Sequence, residues 1–186
     1  MTYTQTGKEE DIINLFREDN VLAMNKLYAE FAPYLTGVCA RYIAEDAELK
    51  DVLQESFIKI FTRIGHFEYR GQGSLRAWMT RIVINESLQT LRRKKKLPLT
   101  SLDNEPVDLP DEEPATYGMD AETMAQLIGK LPAGYRTVLN LYIIEGLSHK
   151  EIAKMLGIKP DTSASQLHRS KNMLAKLILD FKRSKL

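Results

Sequence analysis

The sequence predicts an all-α fold: two small helical domains joined by an acidic, Pro-rich linker, the second domain containing a helix-turn-helix. Three observations predict it. Apolar residues recur at i, i+3 and i+4 along most of the chain, and no alternating run of useful strand length interrupts them. Residues 97–118 hold Pro98, Pro106, Pro110 and Pro114 with no helical period, so they read as a linker. Residues 148–171 read as a helix, a sharp turn at Gly157 and a second helix with a small, polar outer face. The expected domains are therefore residues 9–96 and 119–183, with 97–118 between them.

The first domain is expected to hold four helices. Glu9–Glu18 turns Ile12, Ile13 and Phe16 inward. Val21–Ile43 follows, capped by Asp19 or Asn20, with Leu27, Tyr28, Phe31, Leu35, Val38 and Tyr42 as its stripe. Ala47–Ile64 carries Leu49, Val52, Leu53, Phe57, Ile60 and Phe61 on one face. The loop Gly65–Gly73 has three glycines and two aromatics. Ser74 is expected to cap a long helix reaching about Lys95, with Leu75, Trp78, Ile82, Leu88 and Leu91 inward.

The second domain is expected to hold three or four helices. Ala121–Lys130 is the first. Pro132 opens the next, which runs to about Glu145 with Tyr135, Val138, Leu139 and Tyr142 inward and Gly146 ending it. In the helix-turn-helix, Ser148 and Glu151 make an S-x-x-E capping box. Ile152, Met155 and Leu156 form the apolar face, and Ala153 permits close approach. Gly157 suits a left-handed C-terminal cap, Ile158 plugs the turn, and Pro160 starts the second helix with Asp161 or Thr162 capping it.

At 186 residues the chain is long enough for two small cores and has no apolar run that could span a membrane. Its opening, MTYTQTGKEED, is polar and acidic, unlike a signal or transit peptide. The single cysteine, Cys39, lies in an apolar pattern and reads as a small buried hydrophobe. A cytoplasmic protein is expected. The net charge of +1 conceals a strong asymmetry. Residues 81–96 carry six bases and one acid, residues 97–120 seven acids and no base, and residues 148–186 nine bases and three acids. Two basic blocks around an acidic one suggest two nucleic-acid contacts.

Three constellations carry candidate chemistry. Asp51, Gln54 and Glu55 share one helix face, which reads either as solvated surface or as a docking face for a basic or polar partner helix. Phe67, Tyr69, Arg70 and Gln72 crowd one loop, where aromatic and guanidinium groups can stack on unstacked bases; the plain alternative is an ordinary loop beside a core Trp78. Arg76, Arg81, Arg92 and Arg93 can track phosphates, although basic residues at a helix end also complement its dipole. In the last helix Thr162, Ser163 and Ser165 lower helix propensity, and with Gln166, His168, Arg169 and Lys171 they offer short groups for phosphates and base edges. The histidines are scattered and no Cys/His spacing suits a metal; no catalytic residue, metal site or cofactor is expected.

Taken together, these segments resemble the small, extracytoplasmic-function (ECF, group 4) sigma factors of the bacterial sigma-70 family, over about residues 9–180. DVLQESFIKIF (51–61) resembles the D-x-x-Q-E-x-F pattern of region 2.2, GSLRAWMTRIVIN with LRRKKK (73–96) resembles regions 2.3 and 2.4, and residues 131–174 resemble region 4. The resemblance implies a transcription initiation factor that binds core RNA polymerase through its β′ and β subunits, reads promoter DNA at −10 and −35 elements, aids strand opening and performs no catalysis. Asp51, Gln54 and Glu55 would dock on the β′ clamp helices. The loop Phe67–Ser74 would capture a flipped base of the −10 element, with Arg76, Arg81, Asn85, Arg92 and Arg93 near the same DNA. Thr162–Lys171 would read the −35 element. The linker would thread toward the RNA exit path, its negative charge mimicking nucleic acid. An anti-sigma factor is an implied partner, and membrane insertion is not implied. Three departures bear on promoter choice: the recognition helix opens with Asp161-Thr162-Ser163 rather than Gly-Thr-Val, Arg169-Ser170 stands where Arg-Ala is frequent, and the −10 loop is somewhat longer than in the shortest members. The alternative from another class is a stand-alone helix-turn-helix regulator, which would have no need of the Asp51–Glu55 face.

Overall fold

The computed structural model describes residues 8–94 and 119–184. The expected linker, 97–118, lies outside the described residues, as do Lys95 and Lys96. Every regular element among the described residues is helical. The chain separates into two compact units, Met1–Thr90 and Leu91–Leu186, divided near the end of the fourth helix.

The first unit is built from α1 (Lys8–Arg17), α2 (Ala23–Ala40), α3 (Asp46–Arg63), a 3-10 turn at Ile64–His66, and α4 (Ser74–Arg93). α1 opens with three acids and closes with Arg17, an arrangement that suits its dipole, and it buries Ile12 and Ile13. The chain then turns through Asp19 at φ +49°. Asn20 Oδ1 accepts the Leu22 N–H at 2.9 Å, so Asn20 stabilises the approach to α2, while Leu22 holds the cap position. Leu27, Phe31, Leu35, Val38 and Cys39 form the buried row of α2, and Tyr42 and Ile43 continue it past the helix end. Tyr28, expected inward, is exposed; it follows Leu27 directly and so falls on the flank, laying its ring on Phe57 with centroids 4.8 Å apart.

α3 buries Val52, Phe57 and Ile60. Ser56 lies among them without cost because its hydroxyl donates to the Val52 carbonyl at 2.6 Å. α4 packs Leu75, Met79, Ile82, Val83 and Leu88 inward, and a half-buried ion pair, Lys59–Glu86 at 2.6 Å, ties α3 to it. Cys39 is fully buried with its Sγ 3.7 Å from Ser87 Oγ. Burial raises the thiol pKa more than the Ser87 hydrogen bond lowers it.

The second unit contains α5 (Ala121–Gly129), α6 (Ala133–Leu139), a π-helical segment at Asn140–Ile144, α7 (His149–Leu156) and α8 (Pro160–Arg183). Asp120 caps α5 by accepting the Thr123 N–H at 2.6 Å. Leu127, Leu131, Val138, Leu139, Leu141, Ile152, Leu156, Leu167 and Ile178 are buried. Arg136 is buried with them; its Nη1 donates to the Gly129 carbonyl at 2.7 Å, and burial lowers its pKa. The single helix expected from Pro132 to Glu145 is in fact an α-helix that widens into a π turn, closed by the Glu145 N–H on the Asn140 carbonyl at 3.0 Å. Gly146, at φ +67°, then ends it. Among the described residues no helix is long and apolar enough to cross a membrane.

Candidate nucleic-acid interface

On α3, Asp51, Gln54 and Glu55 are all exposed on one face, opposite the buried Val52, Ser56 and Ile60. Ile58 continues that face one turn on and is exposed, an apolar neighbour that the charge pattern concealed. The row therefore offers carboxylates, an amide and a hydrocarbon surface together.

Between the 3-10 turn and α4 lies an open groove of about 650 Å³, lined by His66, Phe67, Glu68, Arg70, Ser74, Ala77, Trp78 and Arg81. Phe67 and Trp78 form its aromatic wall, with ring centroids 5.0 Å apart. Trp78 was expected in the core; it is only half-buried, because its large indole reaches past the helix flank and leaves one side open. Arg70 is exposed and pairs with Glu68 at 3.1 Å, an exposed contact that a phosphate can displace at little cost. Gln72 is exposed and Tyr69 half-exposed. Arg76 lies over the Tyr34 ring at 5.0 Å, a cation–π contact that restricts the guanidinium. Arg81, Asn85, Arg92 and Arg93 are exposed on α4, and Ala77 and Gln89 complete one continuous stripe with them.

The loop leading into α4 is held by two side chains. Ser74, expected to cap the helix, instead donates its hydroxyl to the Gly71 carbonyl at 2.6 Å and accepts the Arg70 N–H at 3.2 Å. The capping falls to Glu9 of α1. Its Oε2 accepts the Gly73 N–H at 2.8 Å and the Leu75 N–H at 3.3 Å, and its Oε1 accepts the Arg76 N–H at 3.2 Å. Gly73 and Gly71 have φ of +89° and +104°, conformations that favour glycine.

The helix-turn-helix is built locally. Glu151 N–H donates to Ser148 Oγ at 3.3 Å while Ser148 N–H donates to Glu151 Oε2 at 2.8 Å, completing the capping box. Gly157 takes the left-handed conformation at φ +70°, and the Gly157 and Ile158 N–H groups both close on the Ala153 carbonyl at 2.8 and 3.0 Å. Lys159 holds the cap position of α8 without a side-chain hydrogen bond, so neither Asp161 nor Thr162 caps the helix as expected. Pro160 at the first helical position already fixes the entry geometry.

The candidate residues of α8 divide by face. Ser165, His168 and Lys171 are exposed, and Thr162, Gln166 and Arg169 are half-exposed beside them. Ser163 faces inward: it is fully buried, with its Oγ 3.0 Å from His149 Nδ1. It comes three and four positions before Gln166 and Leu167, and it shares the inward row with Leu167 and Ser170. The His149 ring stacks on Tyr142 with centroids 4.7 Å apart, so this histidine ties the start of α7 both to the π-helical segment and to α8. Ser165 Oγ donates to the Asp161 carbonyl at 2.8 Å, and His168 Nε2 lies 3.2 Å from Asn172 Nδ2. Lys150, Lys154 and Lys159 are exposed around the same end and were not singled out from the sequence.

Residues 27–97 match the family model for Sigma-70 region 2, and residues 121–174 match that for Sigma-70, region 4. The chain is 27% identical over 183 residues to the RNA polymerase sigma-H factor of Pseudomonas aeruginosa, covering 92% of this chain and 94% of that one. It is 30% identical over 158 residues to the ECF RNA polymerase sigma factor SigW of Bacillus subtilis, covering 77% of this chain and 82% of that one. Among solved structures it is similar in fold to the sigma factor RpoE of Bartonella quintana, solved in complex with the anti-sigma factor NepR: TM-score 0.51 at 22% identity, over 85% of this chain and 98% of that chain.

Proposed function

The chain belongs to the ECF class of the sigma-70 family, and from that premise we infer how its surfaces work. It is a sigma factor, which directs RNA polymerase to promoters and has no catalysis of its own. The observation that carries the assignment of surfaces is the exposed row Asp51, Gln54 and Glu55, whose side chains make no hydrogen bond or ion pair with another described residue. Polar groups left unpaired along one helix face, with exposed Ile58 beside them, suit a partner helix that supplies cations and an apolar contact. That partner is the β′ clamp of core polymerase, with the β subunit as a second contact.

The groove beside Phe67 and Trp78 takes an unstacked base of the −10 element. Its aromatic wall offers the stacking surface, and Arg70 and Arg81 offer charge for the adjoining phosphates. The α4 stripe, Arg81, Asn85, Arg92 and Arg93, follows the same strand, and Tyr69, Gln72 and Arg76 support the loop. In the other unit Ser165, His168 and Lys171 face the −35 element, flanked by Thr162, Gln166 and Arg169. Ser163 shapes the turn from inside, and Lys150, Lys154 and Lys159 supply phosphate contacts. Residues 9–96 and 119–183 act as separate binding modules, and the acidic, Pro-rich residues 97–118 join them along the RNA exit path. Two modest DNA contacts on one polymerase gain effective concentration from each other, so the free chain binds promoters poorly. An anti-sigma factor covers these surfaces at rest, as NepR accompanies the Bartonella quintana protein.

The test is co-elution with core RNA polymerase, comparing wild type with an Asp51→Ala, Gln54→Ala, Glu55→Ala variant. Wild type is expected to co-elute and the variant to be lost. Co-elution of the folded variant at wild-type level would overturn the docking assignment.

A further inference from the structure

We propose that Glu9 is a positioning residue for base capture: its carboxylate in α1 fixes the loop Arg70–Ser74 and the first turn of α4, so that the groove is pre-formed before DNA enters. The proposal rests on reading that groove as the site of the unstacked base. α1 precedes the region 2 stretch, which begins at residue 27, and the D-x-x-Q-E face, the loop and the basic helix give no hint of it.

The geometry sets Glu9 apart from an ordinary surface acid. A helix normally finds the acceptors for its first amides next door, in a Ser, Thr, Asp or Asn at the cap position and an acid three residues on. Here the cap position is Gly73, which has no side chain, and its φ of +89° disfavours any other residue. Ser74 is occupied with the loop backbone. One carboxylate from a different helix does both halves of the work. It takes the Leu75 and Arg76 N–H groups, as a cap side chain would, and the Gly73 N–H, as the returning acid of a capping box would. Glu9 is 8% exposed, and Ile12 and Ile13, one turn on, anchor α1 in the core, so the oxygens are held where they are needed. Arg76 is thereby fixed at both ends, its amide on Glu9 and its guanidinium on Tyr34.

Pre-forming matters because a loop that must be ordered on binding gives up part of its interaction free energy to that ordering. A groove already shaped by Glu9 spends the full stacking interaction on the extruded base.

The experiment uses holoenzyme assembled from core RNA polymerase and the full chain, as wild type, Glu9→Ala and Glu9→Gln. The probes are promoter duplexes identical except for a single abasic site stepped along the −10 non-template strand. The readout is the rate of strand opening, as a ratio of intact to abasic promoter. Wild type is expected to show one position at which the abasic site slows opening, and Glu9→Ala to shrink that ratio roughly five- to tenfold, the scale of a lost helix cap. Glu9→Gln keeps one acceptor oxygen and is expected to fall between. An unchanged ratio in Glu9→Ala overturns the proposal. If wild type has no abasic-sensitive position, the base-capture reading itself fails, and the proposal falls with it. Amide hydrogen exchange on the Glu9→Gln chain separates positioning from folding. Faster exchange confined to Gly73, Leu75 and Arg76 is expected. Unchanged exchange there, or loss of protection throughout the unit, would overturn the positioning role.

Discussion

The two candidate DNA-contacting regions solve the same problem, the start of a helix that carries recognition groups, in opposite ways. α7 and α8 are set by neighbours: Ser148 and Glu151 cap each other, and Gly157 turns the chain within nine residues of Ser148. α4 is set from far away, by a carboxylate 64 residues upstream of Gly73. A locally capped turn keeps its shape wherever its own helices pack. A remotely capped loop keeps its shape only while α1 stays docked, so it is the more conditional of the two and the more exposed to changes elsewhere in the chain.

The widest break in this contrast comes from removing α1. A chain lacking residues 1–18 loses the burial of Ile12 and Ile13, worth about 3–6 kcal/mol together, along with the Glu9 contacts. Thermal unfolding followed by circular dichroism is expected to show the first unit melting early, while the second keeps its transition. Equal loss in both would show that the two regions are not independently held. Next in size, Gly157→Ala forces a left-handed backbone on a residue with a Cβ, at about 1–2 kcal/mol, although nothing crowds the added carbon. Its effect on melting should stay in the second unit.

Smaller still, Ser148→Ala removes one half of the capping box at about 1 kcal/mol, and Ser163→Ala breaks the His149 contact at about 1 kcal/mol. Ser165→Ala, whose hydroxyl only returns to its own helix, should leave the melting temperature unchanged. A DNA-binding loss from Ser165→Ala with unchanged melting would sharpen the division of α8 into an inner and an outer hydroxyl. The smallest effect concerns Cys39. Its raised pKa means that the unfolded chain ionises first, so the contribution of the neutral thiol is intact below the ordinary thiol value of 9.0 and declines as pH rises above it. Alkylation of the native protein at neutral pH should accordingly be slow, and fast after unfolding; rapid native labelling would contradict the burial.

What could be read from the sequence follows the same divide. The helices, the capping box and the Gly157 turn were legible because their determinants lie a few residues apart and act through spacing alone. Glu9 was not, because nothing in a short window distinguishes an acid that caps a remote helix from one that simply opens its own. Ser163 and Ser165 look alike in sequence; only the phase of the helix, set by Leu167 and Ser170 below, sends one in and one out. Tyr28 and Trp78 depart from the expected core for a related reason. An amphipathic ring can sit at the edge of a core with one side wet, and the apolar count does not say which edge is open. Ser74 does not cap α4 because the better acceptor, Glu9, lies on another helix.

The π turn at Asn140–Ile144 has a consequence for length variation. A π turn holds one residue more than the α-helical turn it replaces, and each residue of a helix advances about 100° around the axis. Within it the chain turns by less per residue than in α6: Asn140 and Leu141 point into the unit while Ile143 and Ile144 emerge on its surface. The Leu147 N–H then reaches the Leu141 carbonyl at 3.0 Å, directing the chain toward α7. Deleting a single residue here would restore a regular helix and swing the exposed isoleucines out of place, so chain length at this point, as much as residue identity, determines which surface the second unit presents.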